Sequence, residues 1–97
     1  MSPEAAIRVQ QRPERYRFVA EVDGVEAGVL TYRDADDGVR TFIHTEVDPA
    51  FEGHGIAGML ARAGLDDARS RGVQIVPLCP YVNAWIARHP DYSDLVD

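Results

Sequence analysis

Between Val39 and Leu78 the chain changes its hydrophobic period twice, and this change restricts the fold more than any other feature. Val39 to Val47 (VRTFIHTEV) is rich in β-branched and aromatic residues, which favour a strand, and Asp48-Pro49 stops it. From about Gly55 to Arg71 the apolar residues Ile56, Leu60, Ala63 and Ala68 recur at helical spacing. Arg62, Asp66 and Arg69 lie opposite them, and Gly72 supplies the stop. Val73 to Leu78 (VQIVPL) is then a short, mostly apolar run, as expected of a buried strand. Strand, helix and strand in this order predict a right-handed β-α-β crossover joining two parallel strands.

Upstream the period is two. Arg15 to Val22 (RYRFVAEV) alternates, Asp23-Gly24 is a hairpin-turn signal, and Val25 to Arg33 (VEAGVLTYR) resumes the strand pattern. Asp34 to Gly38 is a polar loop, so three successive antiparallel strands are expected after a short leader. Downstream, Pro80 suits a first helical turn. Val82, Trp85, Ile86 and His89 form one stripe of a second helix, which His89-Pro90 ends. The tail Asp91 to Asp97 is too short to predict a further element. The expected order is β-β-β-α-β-α. This is an α+β fold in which an antiparallel meander continues into a parallel pair, with two helices packed on the mixed sheet. Ninety-seven residues leave room for one core, so residues 1–97 are expected to be a single domain.

Composition narrows the function classes. The formal net charge is −6 and every basic residue is an arginine. That field disfavours non-specific nucleic-acid binding and favours a cationic partner such as an amine. No apolar run approaches the roughly 18 residues of a membrane helix, and MSPEAAIRVQ lacks the apolar centre of a signal peptide. Cys79 is the only cysteine, which excludes an internal disulfide and suits a reducing compartment. The expectation is a cytoplasmic chain. Neither C-x-x-C nor H-x-x-x-H spacing occurs, so no metal site is expected.

Gly53-His54-Gly55-Ile56-Ala57-Gly58 fits the G-x-G-x-x-G dinucleotide pattern letter for letter. Its context does not. Asp48 to Glu52 separate it from the strand, the next strand ends Pro77-Leu78-Cys79 with no acidic residue, and no repeated β-α units follow. The same glycines match P-loop spacing, but Met59-Leu60 replaces its Lys-[Ser/Thr]. What remains is glycine backbone leading into a helix whose first N–H groups lack internal partners, which suits a pyrophosphate. The same glycines also suit a tight loop onto a packed helix.

The strand end His44-Thr45-Glu46-Val47-Asp48-Pro49, the loop Phe51 to Ala57, the following helix and the segment Val76-Pro77-Leu78-Cys79-Pro80-Tyr81-Val82 together resemble the GNAT N-acetyltransferase superfamily. More narrowly, they resemble its small single-domain YjdJ-like branch. The resemblance covers about Tyr16 to Leu95. The family pattern R/Q-x-x-G-x-G/A maps onto Glu52, Gly53, His54, Gly55, Ile56 and Ala57, which implies that backbone N–H groups of this turn hold the pyrophosphate of acetyl-coenzyme A. Glu52 stands where Arg or Gln is usual, and a carboxylate there lowers affinity for a pyrophosphate.

The resemblance implies a minimal GNAT fold and an acetyl-coenzyme A-dependent N-acetyltransferase, its amine acceptor a small molecule or a protein. The Val47 N–H would polarise the thioester carbonyl, and Asn83 would contact the pantetheine arm. Acetyl transfer needs a base for the ammonium and an acid for the leaving thiolate. Strict alternation would put Phe42, His44 and Glu46 on one strand face, making Glu46 or His44 the base. Tyr81 is the candidate acid. Cys79, at a strand end beside a helix start, is a candidate acyl acceptor or a small buried hydrophobe. Direct attack by the amine is the leading reading. The alternative is a module that binds coenzyme A or acyl-coenzyme A with little turnover.

Overall fold

The computed structural model describes residues 6–97. Five strands form one sheet in sequence order: β1 (Ile7–Arg12), β2 (Arg17–Val22), β3 (Val25–Asp34), β4 (Val39–Val47) and β5 (Gln74–Pro77). β1 to β4 are antiparallel neighbours, and β5 is parallel to β4. α1 (Ile56–Arg71) crosses between β4 and β5, and α2 (Pro80–Arg88) follows β5. Short 3-10 turns occupy Pro13–Arg15, Pro49–Phe51 and Pro90–Leu95. The mixed sheet and its parallel crossover are those expected.

Two expectations about the ends of the chain are corrected. The supposed leader supplies β1, whose Ile7, Val9 and Gln11 pair with Val22, Ala20 and Phe18. Among the described residues the antiparallel part therefore has four strands, not three. β1 lies at the sheet edge and its residues are half-buried at most, so both of its faces carry polar residues and its alternation is faint. The tail is also structured. Its 3-10 turn buries Tyr92 and Leu95, and Val96 forms a parallel bridge with Ile75.

The Asp23-Gly24 signal works as read. Both residues have positive φ, 50° and 84°, as a two-residue type I′ hairpin requires.

Apart from Val19, the buried apolar side chains form one cluster on one face of the sheet, where Phe18, Leu30, Tyr32 and Phe42 meet Ile56, Leu60, Leu65 and Ala68 of α1 and Val82, Trp85 and Ile86 of α2. Gly64 permits this close approach: a Cβ there would lie 2.9 Å from Phe42 Cε1. Arg40 is 3% exposed yet sits on this face. It lies 4.1 Å over the Tyr32 ring and is paired at 2.7 Å with both Asp34 and Asp67. Burial acts to raise the Asp67 carboxyl, but hydrogen bonds from Arg40 and Arg71 outweigh it and hold the group below its ordinary range.

The opposite face is left bare by both helices. Val19 is buried there but stands apart from the main cluster, while His44 and Glu46 are exposed. No helix among the described residues is long and apolar enough to cross a membrane.

Candidate active site

The registers of β4 correct the expected face of its residues. His44 is opposite Thr31 but Phe42 is opposite Tyr32, so Ile43 is an extra residue that shifts the register. The bulge reverses the alternation. Phe42 and Thr45 face the helices with Tyr32 and Leu30, whereas His44 and Glu46 face the bare side with Thr31 and Val29. Alternation alone gave all three residues one face, because a bulge carries no obvious composition mark.

β4 and β5 pair only from Val39–Gln74 to Phe42–Pro77 and then part. Asp48 N–H donates to Ala27 O at 2.8 Å, toward β3. Neighbouring residues of a strand turn their N–H groups to opposite edges, so the Val47 N–H faces the gap where β5 has diverged.

The glycine turn lies at this gap. Gly53 and Gly55 have φ of 89° and 73°, backbone states that suit glycine. Gly55 is the N-cap of α1 and provides no side-chain cap, and the first turn holds no acidic residue. Its O accepts the first helical bond from Met59 N at 3.1 Å, which leaves the N–H groups of Ile56, Ala57 and Gly58 without helical partners. A groove of about 310 Å³ runs along this turn, lined by Val47, Phe51, Glu52, Gly53, Gly55, Ile56, Ala57, Gly58 and Tyr81. Orphan N–H donors at a helix start, beside flexible glycine backbone, suit the oxygens of a pyrophosphate.

A wider cavity of about 510 Å³ adjoins it through Gly55 and Gly58, with Met59, Arg62, Ala63, Asp66 and Trp85 among its lining. Of the arginines on α1, Arg69 is held by Asp94 and Asp91 O, and Arg71 by Asp67. Only Arg62 lines this cavity, donating to Tyr92 Oη at 3.3 Å.

A second groove, of about 270 Å³, is lined by Glu26, Ala27, Gly28, Val29, Glu46, Val47, Asp48 and Pro49. Val47 is thus common to both grooves. Cys79 is 2% exposed, with Sγ 3.3 Å from Thr45 Oγ1 and N–H donating to Phe42 O at 2.8 Å. Its partner Thr45 had no distinguishing mark in sequence, since only the bulge turns it inward. His54 and Asn83 are exposed and line neither groove. The described residues hold no cluster of metal-ligating side chains.

A family model described as GCN5-related N-acetyl-transferase matches residues 17–95. The chain belongs to this family. It is 31% identical over 91 residues to Protein NATD1 of Xenopus tropicalis, covering 93% of this chain and 84% of that one. Human Protein NATD1 is likewise 31% identical, with 87% and 75% covered. Among solved structures, a GCN5-like protein from Staphylococcus aureus aligns with a TM-score of 0.71 over 93% of this chain and 87% of its own, at 21% identity, which speaks for the fold. A GNAT family acetyltransferase from Brucella melitensis, solved in complex with acetyl-CoA, aligns at 28% identity and a TM-score of 0.57, covering 71% and 50%.

Proposed function

We propose that the chain transfers an acetyl group from acetyl-coenzyme A to an amine by direct attack. The observation that carries this reading is Val47, which borders both the glycine-lined groove and a second groove that contains Glu46, a residue of the bare face. The N–H groups of Ile56, Ala57 and Gly58 hold the pyrophosphate, and the adjoining cavity with Trp85 and Arg62 receives the adenosine end. The acetyl carbonyl lies in the gap between β4 and β5, where the Val47 N–H polarises it.

The amine arrives from the bare side. Glu46 takes a proton from the ammonium, the nitrogen bonds to the carbonyl carbon, and the C–S bond then breaks. Tyr81, which lines the cofactor groove, gives its proton to the departing thiolate. His44, exposed on the same face as Glu46, takes the second proton that the nitrogen must lose to become a neutral amide, and solvent restores the proton of Tyr81. Cys79 takes no covalent part in this scheme: its buried thiol packs against Thr45.

A binding module with little turnover is favoured by one observation, that Glu52 lines the groove meant for a pyrophosphate. Titration with acetyl-coenzyme A, followed by backbone amide shifts, tests both readings. Gly53 to Gly58 and Val47 are expected to move, and no response at millimolar ligand refutes both. Release of free thiol on adding a panel of amines then separates the enzyme from the module.

A further inference from the structure

On the bare face the strand registers line up a polar row, Arg12, Arg17, Thr31 and His44, beside a second row, Gln10, Val19, Val29 and Glu46. Arg12 and Arg17 stand directly opposite one another. A like-charged cross-strand pair is unfavourable unless something neutralises it. Arg12 lies 3.7 Å from Glu21 and donates to Gln10 Oε1. Arg17 makes no ion pair among the described residues, and its Nε is buried without a hydrogen-bond partner there. A buried, unsatisfied guanidinium N–H is unfavourable in the free protein, and a guanidinium with no carboxylate partner is left to pair with an anion wherever it borders a cavity. Arg12, Arg15 and Arg17 line one cavity of about 340 Å³ with Val19, Glu14 and Glu26.

Glu26 also lines the groove that contains Glu46 and Asp48. The two cavities are therefore neighbours with opposite character: carboxylates beside the proposed reaction centre, guanidiniums farther along the sheet. From Glu46 to Arg17 is two strands across and two residues along, about 12 Å between Cα positions. We infer that the acceptor is an amine that also carries a carboxylate, with the ammonium at Glu46 and the carboxylate on Arg17 and Arg12. This rests on the acetyl-transfer reading for the role of Glu46. A single negative charge fits better than a phosphate dianion, because Glu14 and Glu26 share the cavity with the arginines. An extended tripeptide with free ends, about 10 Å long, has the right span.

Triglycine and triglycinamide carry the same amine and differ in the carboxylate, so they test the inference on the protein alone. Triglycine is expected to shift the amides of Arg17, Val19, Val29 and Thr31 at concentrations where triglycinamide leaves them in place, and to bind about tenfold more tightly. Arg17→Gln should erase the difference between the two peptides, and Arg17→Lys should keep part of it with thermal unfolding unchanged. Equal responses to both peptides, or none to either, overturn the inference. With acetyl-coenzyme A present, triglycine should also be the better acceptor by about tenfold in kcat/KM. If acetyl-coenzyme A leaves Gly53 to Gly58 undisturbed while the peptides still differ at Arg17, the transfer reading fails and the aminocarboxylate groove stands.

Discussion

Two glycines of α1 should respond to the same substitution with opposite signs. Gly64 faces the sheet, and an alanine Cβ there would meet Phe42 Cε1 at 2.9 Å and Leu30 Cδ2 at 3.0 Å. Neither neighbour has room to retreat, since both are fully buried and the Phe42 ring is already set edge-on to Tyr32 with centroids 6.3 Å apart. Overpacking of this kind costs about 1–3 kcal/mol, against a helix-propensity gain of up to about 1 kcal/mol from replacing glycine. The net expectation for Gly64→Ala is a loss centred near 1 kcal/mol, or a fall of about 4–8 °C in Tm for a domain of this size. At Gly58 the nearest atoms to an added Cβ are Trp85 Nε1 and Tyr81 Oη, both at 3.5 Å, an ordinary contact. Gly58→Ala therefore keeps the propensity gain, reduced by its place in the first turn, and should raise Tm by a few degrees. Urea and thermal unfolding, each checked for two-state behaviour, read both variants. A Gly64→Ala protein as stable as the parent would refute the packing argument. So would a Gly58→Ala protein that loses as much as Gly64→Ala.

Replacing Glu52 with Arg should tighten acetyl-coenzyme A binding by about three- to thirtyfold, because a repulsive charge in the groove becomes an attractive one. Calorimetric titration at two salt concentrations checks this, and an unchanged Kd would mean the carboxylate does not face the cofactor. Asp67 titrates below its ordinary range when folded, so its contribution to stability is present above the unfolded carboxylate pKa and is lost as pH falls through the folded value. Asp67→Asn should accordingly destabilise the protein at pH 7 and flatten its stability profile on the acid side, read by urea unfolding across pH 2–6. Cys79→Ala should leave amine acetylation within about threefold of the parent while lowering stability by about 1 kcal/mol for the lost packing. Abolished turnover with binding intact would instead make Cys79 an acyl carrier.

The crossover, the hairpin and the glycine turn were legible because each rests on local signals: a change of period, an Asp-Gly pair with positive φ, and a helix that begins on glycine. The bulge at Ile43 was not, and it alone decides that Thr45 meets Cys79 while His44 and Glu46 look the other way. A register shift depends on two strands at once, so reading β4 by itself cannot reveal it. β1 escaped notice for a different reason: an edge strand needs little apolar content. Arg17 also looked like an ordinary strand residue. Its significance comes from standing beside Arg12, a neighbour contributed by another strand.

The bare face of the sheet has a kinetic consequence. The cofactor groove is lined by the glycine turn, and the acceptor groove holds Glu46 and Val29 of the bare face, with Val47 between them. Neither ligand then lies across the entrance of the other, and neither has to be in place for the other to reach its position. In the acetyl-transfer reading the sheet behaves as a partition with a door on each side. Initial-rate plots should intersect, product inhibition should follow a random-order pattern, and no obligatory first ligand should emerge.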